Sequence, residues 1–104
     1  MIRNAFTMKL KPGCTAEYKR RHDELWPELA QALRDAGVSD YSIFLDEQTL
    51  TLFAVQKLSD GNTAASLPCL SIVRKWWDSM ASLMEVHPGN APVCQSLTEV
   101  FHLP

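Results

Sequence analysis

Residues 41–55 read YSIFLDEQTLTLFAV, and this stretch decides the fold. Two runs rich in β-branched and aromatic residues, 41–45 and 50–55, flank the polar segment 46–49. A connection of that length is typical of neighbouring antiparallel strands. The pattern therefore predicts a β-hairpin in the middle of the chain.

The segment before the hairpin predicts a strand and then a helical region. Residues 2–10 alternate between two faces, and one face carries Ile2, Asn4, Phe6, Met8 and Leu10. Pro12-Gly13 ends that strand. Thr15 is a plausible N-cap for a helix that runs to Gly37, because apolar and aromatic residues then recur at helical spacing: Tyr18, His22, Leu25, Trp26, Leu29, Leu33 and Ala36. Pro27 interrupts this helix, so we expect a kink there or two successive helices with Pro27 in the first turn of the second.

The segment after the hairpin predicts a loop, a helix and a last strand. Residues 59–63 form a loop by composition. A second helical stripe follows, and Pro68 lies where it could open that helix. Its members are Val73, Trp76, Trp77, Met80, Leu83 and Met84. Residues 87–92 are irregular, and 97–101 read as a strand.

The predicted order is β-α-β-β-α-β, which is the ferredoxin-like α+β arrangement in a single domain, 1–104. Both helices would cover one face of a four-stranded antiparallel sheet. The other face still needs cover, with Tyr41, Phe53 or their neighbours as candidates. A second copy of the sheet would supply that cover, so the pattern favours a symmetric homodimer.

Composition narrows the functional classes. Hydrophobic residues are 46% and charged residues 21% of the chain, as in ordinary globular proteins. A net charge of −2 offers no basic patch for nucleic acid or a membrane surface, and no apolar run is long enough to span a bilayer. The N-terminus lacks a signal-peptide pattern, and Cys14, Cys69 and Cys94 are too scattered for a disulfide framework or a zinc site. We expect free thiols and a cytoplasmic location.

The most informative single feature is His22, four residues after Tyr18 on the predicted apolar stripe. That spacing places an imidazole beside a phenol, facing the sheet. Histidine titrates near neutral pH and can act as an acid or a base, although a histidine in such a position is more often merely hydrogen-bonded. His87 and His102 are weaker candidates, and neither has metal-ligand spacing to His22.

Aromatic residues give the remaining candidates. The neighbouring indoles of Trp76 and Trp77 flank their stripe, so one can pack in the core while the other lines a cleft. Tyr41 begins a strand and could bind a ligand or simply pack. The chain has no phosphate-binding glycine loop, no Cys/His cluster and no nucleophile elbow, which favours proton-transfer chemistry with no metal or cofactor.

Several segments together resemble the L-rhamnose mutarotase family. They are residues 1–6, 17–29, 41–46, the Lys75-Trp76-Trp77 run and residues 99–104, so the similarity extends over the whole chain. The resemblance implies a dimeric α+β barrel, a pyranose substrate (L-rhamnose), no cofactor and a cytoplasmic role in rhamnose catabolism. It implies His22 as the catalytic acid–base group, with Tyr18, Tyr41, Trp76 and Trp77 as substrate-binding residues.

One segment departs from that family pattern. Between Leu58 and Val73, Gly61 and Pro68 predict a shorter helix than the family's, in the cleft wall just before the tryptophans. Two alternatives to a mutarotase stay open on sequence grounds. One is another cofactor-free enzyme of this fold, such as a small monooxygenase or a lactone isomerase, and the other is a non-catalytic sugar-binding module.

Overall fold

The computed structural model describes residues 1–104 and has seven regular elements. Strand β1 (Ile2–Lys9) precedes two helices, α1 (Thr15–Asp23) and α2 (Pro27–Asp35). The hairpin follows as β2 (Val38–Asp46) and β3 (Thr51–Leu58), and then come α3 (Ser71–Met80) and the short strand β4 (Gln95–Ser96). The strands form one antiparallel sheet in the order β2-β3-β1-β4. This confirms the α+β class, the ferredoxin-like order and the central hairpin.

Pro27 divides the first helical region into two helices. Trp26 has φ −61° and ψ 129°, which is extended backbone, and Pro27 is the first residue of α2. A residue before proline is driven from the helical region, whereas proline itself suits a first helical turn. The second of the two expectations is therefore confirmed. The N-cap expectation was wrong by one residue, because Cys14 holds the cap position and Thr15 is already helical.

The core lies between the helices and one face of the sheet. Met8 and Leu52 are directly paired in the sheet, and the cluster around them includes Ala54, Tyr18 and Met80. Leu52 is 1% exposed and Ala54 is fully buried. The alternation in β1 and β3 thus selects an inner face that packs on α1 and α3.

The segment before α3 is shorter in helix than the pattern of its stripe suggests. Pro68 lies inside a 3₁₀ turn (Ala64–Cys69) and does not open α3, so that expectation was wrong. An extended Leu70 separates the turn from α3, which begins at Ser71. The expected shortening by Gly61 and Pro68 is confirmed.

The predicted strand at 97–101 was wrong. The regular strand is Gln95–Ser96, which pairs with Phe6 and Thr7, and one further ladder bond runs from the Leu97 amide to the Ala5 carbonyl at 2.9 Å. The chain beyond is held only through the Arg3–Glu99 ion pair at 2.8 Å. The apolar pattern of the tail reflects exposed side chains, with Phe101 77% exposed, and not a paired strand.

The outer face of the sheet is apolar and uncovered in the single chain. Phe44 and Phe53 are directly paired across β2 and β3 and are 64% and 39% exposed. Val55 lies on the same face and is 42% exposed. Tyr41 shares the inner face with Ile43 instead, so of the two residues named as candidates for cover only Phe53 is on the outer face. No helix in the chain has the length and hydropathy needed to cross a membrane.

Candidate active site

Tyr18 and His22 lie side by side on α1, as their spacing predicts. The ring centroids are 4.2 Å apart and the planes are inclined by 31°. Tyr18 is buried within the core cluster and His22 is half-buried at its edge. The phenol therefore anchors the imidazole at the boundary between the core and solvent.

One hydrogen bond determines which nitrogen of His22 is free. Nδ1 is 2.9 Å from the backbone carbonyl oxygen of Tyr18. A carbonyl oxygen only accepts, so Nδ1 carries the hydrogen and the neutral ring keeps its lone pair on Nε2. Desolvation lowers the pKa of His22, and the bond to the Tyr18 carbonyl partly opposes that shift. The neutral form with a free Nε2 is thus the resting form at neutral pH.

Trp76 of α3 closes one side of the imidazole. Its ring meets His22 edge to face at 5.2 Å and 86°. Trp26 meets the other part of Trp76 in the same way, at 5.2 Å and 85°. Trp77 is half-buried and makes no such contact with this group, so only one of the two neighbouring indoles joins the aromatic cluster. Sequence reasoning placed Trp26 on the helical stripe but did not choose it as a site residue.

Tyr41 approaches Tyr18 from the sheet. Burial raises the pKa of Tyr18 above its usual range, and the neighbouring Tyr41 and Cys94 add to the shift. Burial, with a smaller effect of Cys94, raises the pKa of Tyr41 to about 12. Tyr41 as a whole residue is 38% exposed, but it is the hydroxyl group that is desolvated. The two phenols and the Cys94 thiol therefore lie close together, and both phenols stay protonated at neutral pH.

The polar atoms of this group face accessible space. Neither Nε2 of His22 nor the Tyr18 hydroxyl makes a hydrogen bond to another protein group. No fully enclosed side-chain nitrogen or oxygen of a buried or half-buried residue lacks a partner. Both atoms must therefore reach solvent, where a ligand could meet them.

A separate cleft of about 260 Å³ adjoins the aromatic cluster. It shares Trp26 and Trp76 with that cluster but is otherwise lined by polar and charged groups of α1 and α3: Arg20, Arg21, Glu24 and Ser79. Arg20 and Arg21 both bond to Glu17, which lowers the pKa of that carboxylate to about 2. His22 does not line this cleft, so the cleft lies beside the histidine site and is not the same space.

Metal-binding groups do not gather in the chain. No three His, Cys, Asp or Glu side chains are close enough to hold one ion, and the three cysteines are unpaired. The groups that the fold does assemble are one imidazole, two phenols and two indoles. Such a set can exchange protons and can present aromatic faces to a sugar ring.

Comparison with known proteins gives one consistent result. The sequence model of a family described as L-rhamnose mutarotase matches residues 3–103. An L-rhamnose mutarotase of Flavobacterium johnsoniae is 56% identical over 98% of this chain and 95% of its own. One from Formosa agariphila is 55% identical over 99% of both chains. The crystal structure of an L-rhamnose mutarotase from Formosa agariphila superposes with a TM-score of 0.93 at 54% identity, and all of both chains is covered.

Proposed function

The chain belongs to the L-rhamnose mutarotase family, and on that basis we propose that it interconverts the α and β anomers of L-rhamnose with His22 as its acid–base residue. The family match makes the protein an isomerase that acts on a carbohydrate. The observation that supports the catalytic assignment is the free Nε2 of His22, held in place by the Nδ1 bond and flanked by Tyr18 and Trp76.

Mutarotation requires two proton movements at one carbon. The bond between the anomeric carbon and the ring oxygen breaks when the ring oxygen gains a proton and the anomeric hydroxyl loses one. The open aldehyde rotates about its bond to the next carbon and recloses on its other face. Because closing reverses opening, the acid of one step is the base of the other, and a group that titrates near the working pH serves both.

His22 donates the proton to the ring oxygen in this proposal. Protonated Nε2 delivers it during opening, and neutral Nε2 takes it back from the sugar hydroxyl during closing. The lowered pKa makes protonated His22 a stronger acid than a histidine in water, at the expense of a smaller protonated fraction. The fixed tautomer keeps the same nitrogen toward the sugar in both steps.

Tyr18 handles the opposite proton. Its raised pKa argues against a phenolate base at neutral pH, so its hydroxyl acts by donating and accepting hydrogen bonds. It orients the anomeric hydroxyl and relays that proton to water in the cavity. Tyr41 binds a further hydroxyl of the sugar, and its pKa of about 12 likewise keeps it a donor.

Trp76 and Trp77 hold the sugar by apolar contact. Indole faces match the C–H faces of a pyranose, and an indole N–H suits a hydroxyl. Trp76 has the better support, because its ring touches His22. Trp26 extends the same wall through its contact with Trp76.

The active protein is a homodimer in this proposal, joined through the outer faces of the two sheets. The support is the apolar, exposed group Phe44, Phe53 and Val55, which a second copy would cover. Such an arrangement is the dimeric α+β barrel that the sequence resemblance implies. We place the enzyme in the cytoplasm, where its three unpaired cysteines would stay reduced.

Saturation-transfer NMR on the anomeric protons of L-rhamnose tests the proposed activity. The protein is expected to speed exchange between the two anomeric signals, and to do so less with L-fucose and D-glucose. Oxygen uptake measured on the same samples separates mutarotation from monooxygenase chemistry. No acceleration with L-rhamnose, or oxygen uptake without anomer exchange, would contradict the proposal.

A further inference from the structure

Gln56 is the one amide or charged residue among the 13 buried residues of the chain. It is 8% exposed and follows Leu52 and Ala54 on the inner face of β3. Its side chain makes no hydrogen bond to the protein, yet none of its polar atoms is fully enclosed. An amide at a core position costs free energy unless something else satisfies it. The amide group therefore faces accessible space inside the helix-covered side of the sheet.

Two further polar side chains flank Gln56 across the sheet. Asn4 of β1 is its direct partner in the register, and its amide is equally free of protein hydrogen bonds. Tyr41 lies on the other side, at the register shift between Ser39 and Ser42. Bulges of this kind redirect a side chain from its regular position. The inner face thus carries a row of three polar groups at a place where the neighbouring positions are apolar.

This polar row borders the space next to His22. Ala54 packs with Tyr18 in the core cluster, and Gln56 follows Ala54 on the same face at about 7 Å along the strand. Tyr41, which lies opposite Gln56, is close enough to Tyr18 for each to affect the ionisation of the other. His22 stacks on Tyr18 from the helix side. Gln56 therefore faces the candidate site from the sheet, across from the imidazole.

The chemistry of this row suits a neutral ligand rich in hydroxyl groups. The inner positions of β1 and β3 hold no charged side chain. A carboxamide has one accepting oxygen and one donating NH₂ group, side by side, and two adjacent hydroxyls of a sugar ring can donate to the first and accept from the second. A phosphate or carboxylate would find no cation there to balance it.

We propose that Gln56 is a specificity-determining residue that binds two adjacent ring hydroxyls of the sugar, on the side of the ring away from His22. This inference rests on the proposed mutarotase function, since it assigns a further contact in the same site. Gln56 contributes binding that is equal in the ground state and the transition state, because the hydroxyls it contacts do not react.

Gln56→Met tests the assignment, with Gln48→Met as the matched control. Methionine keeps the length of the side chain and removes its hydrogen bonds, while Gln48 lies exposed in the hairpin turn. Loss of two hydrogen bonds is expected to raise KM for L-rhamnose by about tenfold and to leave kcat within about twofold. The thermal midpoint is not expected to fall, because an unpartnered amide is replaced by an apolar group. The control is expected to behave as wild type.

A structural role would give a different result. If Gln56 served the fold, Gln56→Met would lower the thermal midpoint and leave KM unchanged, and that outcome would overturn the proposal. Should the methionine variant not fold, Gln56→Asn retains the amide but withdraws it by one methylene, and a raised KM at constant kcat is again expected. An unchanged KM in a folded Gln56→Asn protein would also contradict the assignment.

Deoxy sugars identify the hydroxyls and separate the two proposals. Dissociation constants for L-rhamnose and its 2-, 3- and 4-deoxy derivatives come from tryptophan fluorescence, since Trp26 and Trp76 lie beside the site. Two neighbouring derivatives are expected to bind wild type and Gln56→Met equally, whereas a uniform penalty across the series would refute direct contact. If wild type binds L-rhamnose without exchanging its anomers, the mutarotase proposal fails while this comparison still decides on Gln56. If wild type neither binds nor exchanges it, both proposals fail.

Discussion

Replacing His22 with alanine removes the proposed proton donor and a defined set of contacts. The contacts are the Nδ1 bond to the Tyr18 carbonyl at 2.9 Å, the stack on Tyr18 and the edge contact with Trp76. A hydrogen bond of this kind is worth about 1 kcal/mol and an aromatic contact about 0.5–1.5 kcal/mol. Alanine recovers part of this through its higher helix propensity, by about 0.5 kcal/mol. We therefore expect His22→Ala to lose about 1–2 kcal/mol of stability and to remain folded.

The effect on catalysis is expected to be much larger than the effect on stability. General acid–base catalysis contributes roughly 10²–10⁴ in rate, which corresponds to about 3–5 kcal/mol in the barrier. His22→Ala should therefore lose nearly all acceleration of anomer exchange while keeping its circular dichroism spectrum and a cooperative melt. Saturation-transfer NMR on L-rhamnose measures the exchange directly, and the spontaneous rate in buffer sets the baseline.

His87→Ala is the matched control, because His87 is exposed in an irregular segment away from the aromatic cluster. It is expected to exchange anomers at the wild-type rate. Exchange by His22→Ala within a few-fold of wild type would refute the catalytic assignment. An unfolded His22→Ala protein would show instead that the contacts of the ring, and not its proton chemistry, account for the residue.

Four further outcomes test other parts of the account. With His22 as donor and its pKa lowered by desolvation, kcat should fall as pH rises through that pKa, below the usual value for histidine; a rate that increases over that range would make His22 the base instead. Leu52→Ala, at a position 1% exposed, should cost about 2–5 kcal/mol in urea unfolding, and a loss under 1 kcal/mol would show that the core closes around the gap. Gly37→Ala should destabilise the fold by about 1–3 kcal/mol, because φ is +91° and the new Cβ would lie 2.3 Å from Ser59 Oγ; an unchanged thermal midpoint would count against this strain. Phe53→Lys should shift the protein from dimer to monomer in sedimentation velocity, and an intact dimer would place the interface elsewhere.

Local patterns predicted the sheet and the position of the histidine well. The alternation in residues 50–55 places Leu52 and Ala54 inward, and the structure buries both. The four-residue spacing of Tyr18 and His22 brings their rings into contact, because α1 is a regular helix over both. Period and spacing act within one element, so a sequence displays them directly.

Features that depend on several elements were not predictable in the same way. The strand expected at 97–101 had the right composition, but only Gln95–Ser96 forms a regular ladder with β1. Trp26 joins the site only because the break before Pro27 brings its ring against Trp76 of α3. Pro68 could open a helix by its own geometry, yet the surrounding turn leaves that role to the residues after Leu70. In each case the deciding contact comes from a distant part of the chain.

Gln56 shows the same limit for the site itself. In the sequence it is one polar residue in an apolar strand, with nothing to distinguish it from an exposed position. Only the register with Asn4 and the burial on the inner face reveal an amide without a protein partner. Burial of an unsatisfied polar group is a property of the assembled fold.

The central claim is that Nε2 of His22 faces the sugar while Nδ1 is held by the protein. Nitrogen-15 NMR of the imidazole rings, recorded with and without L-rhamnose, measures this directly. The account predicts that free His22 is the neutral form with its hydrogen on Nδ1, and that L-rhamnose shifts its Nε2 signal while those of His87 and His102 stay in place. A His22 ring with its hydrogen on Nε2, or one whose signals do not respond to saturating sugar, would contradict it.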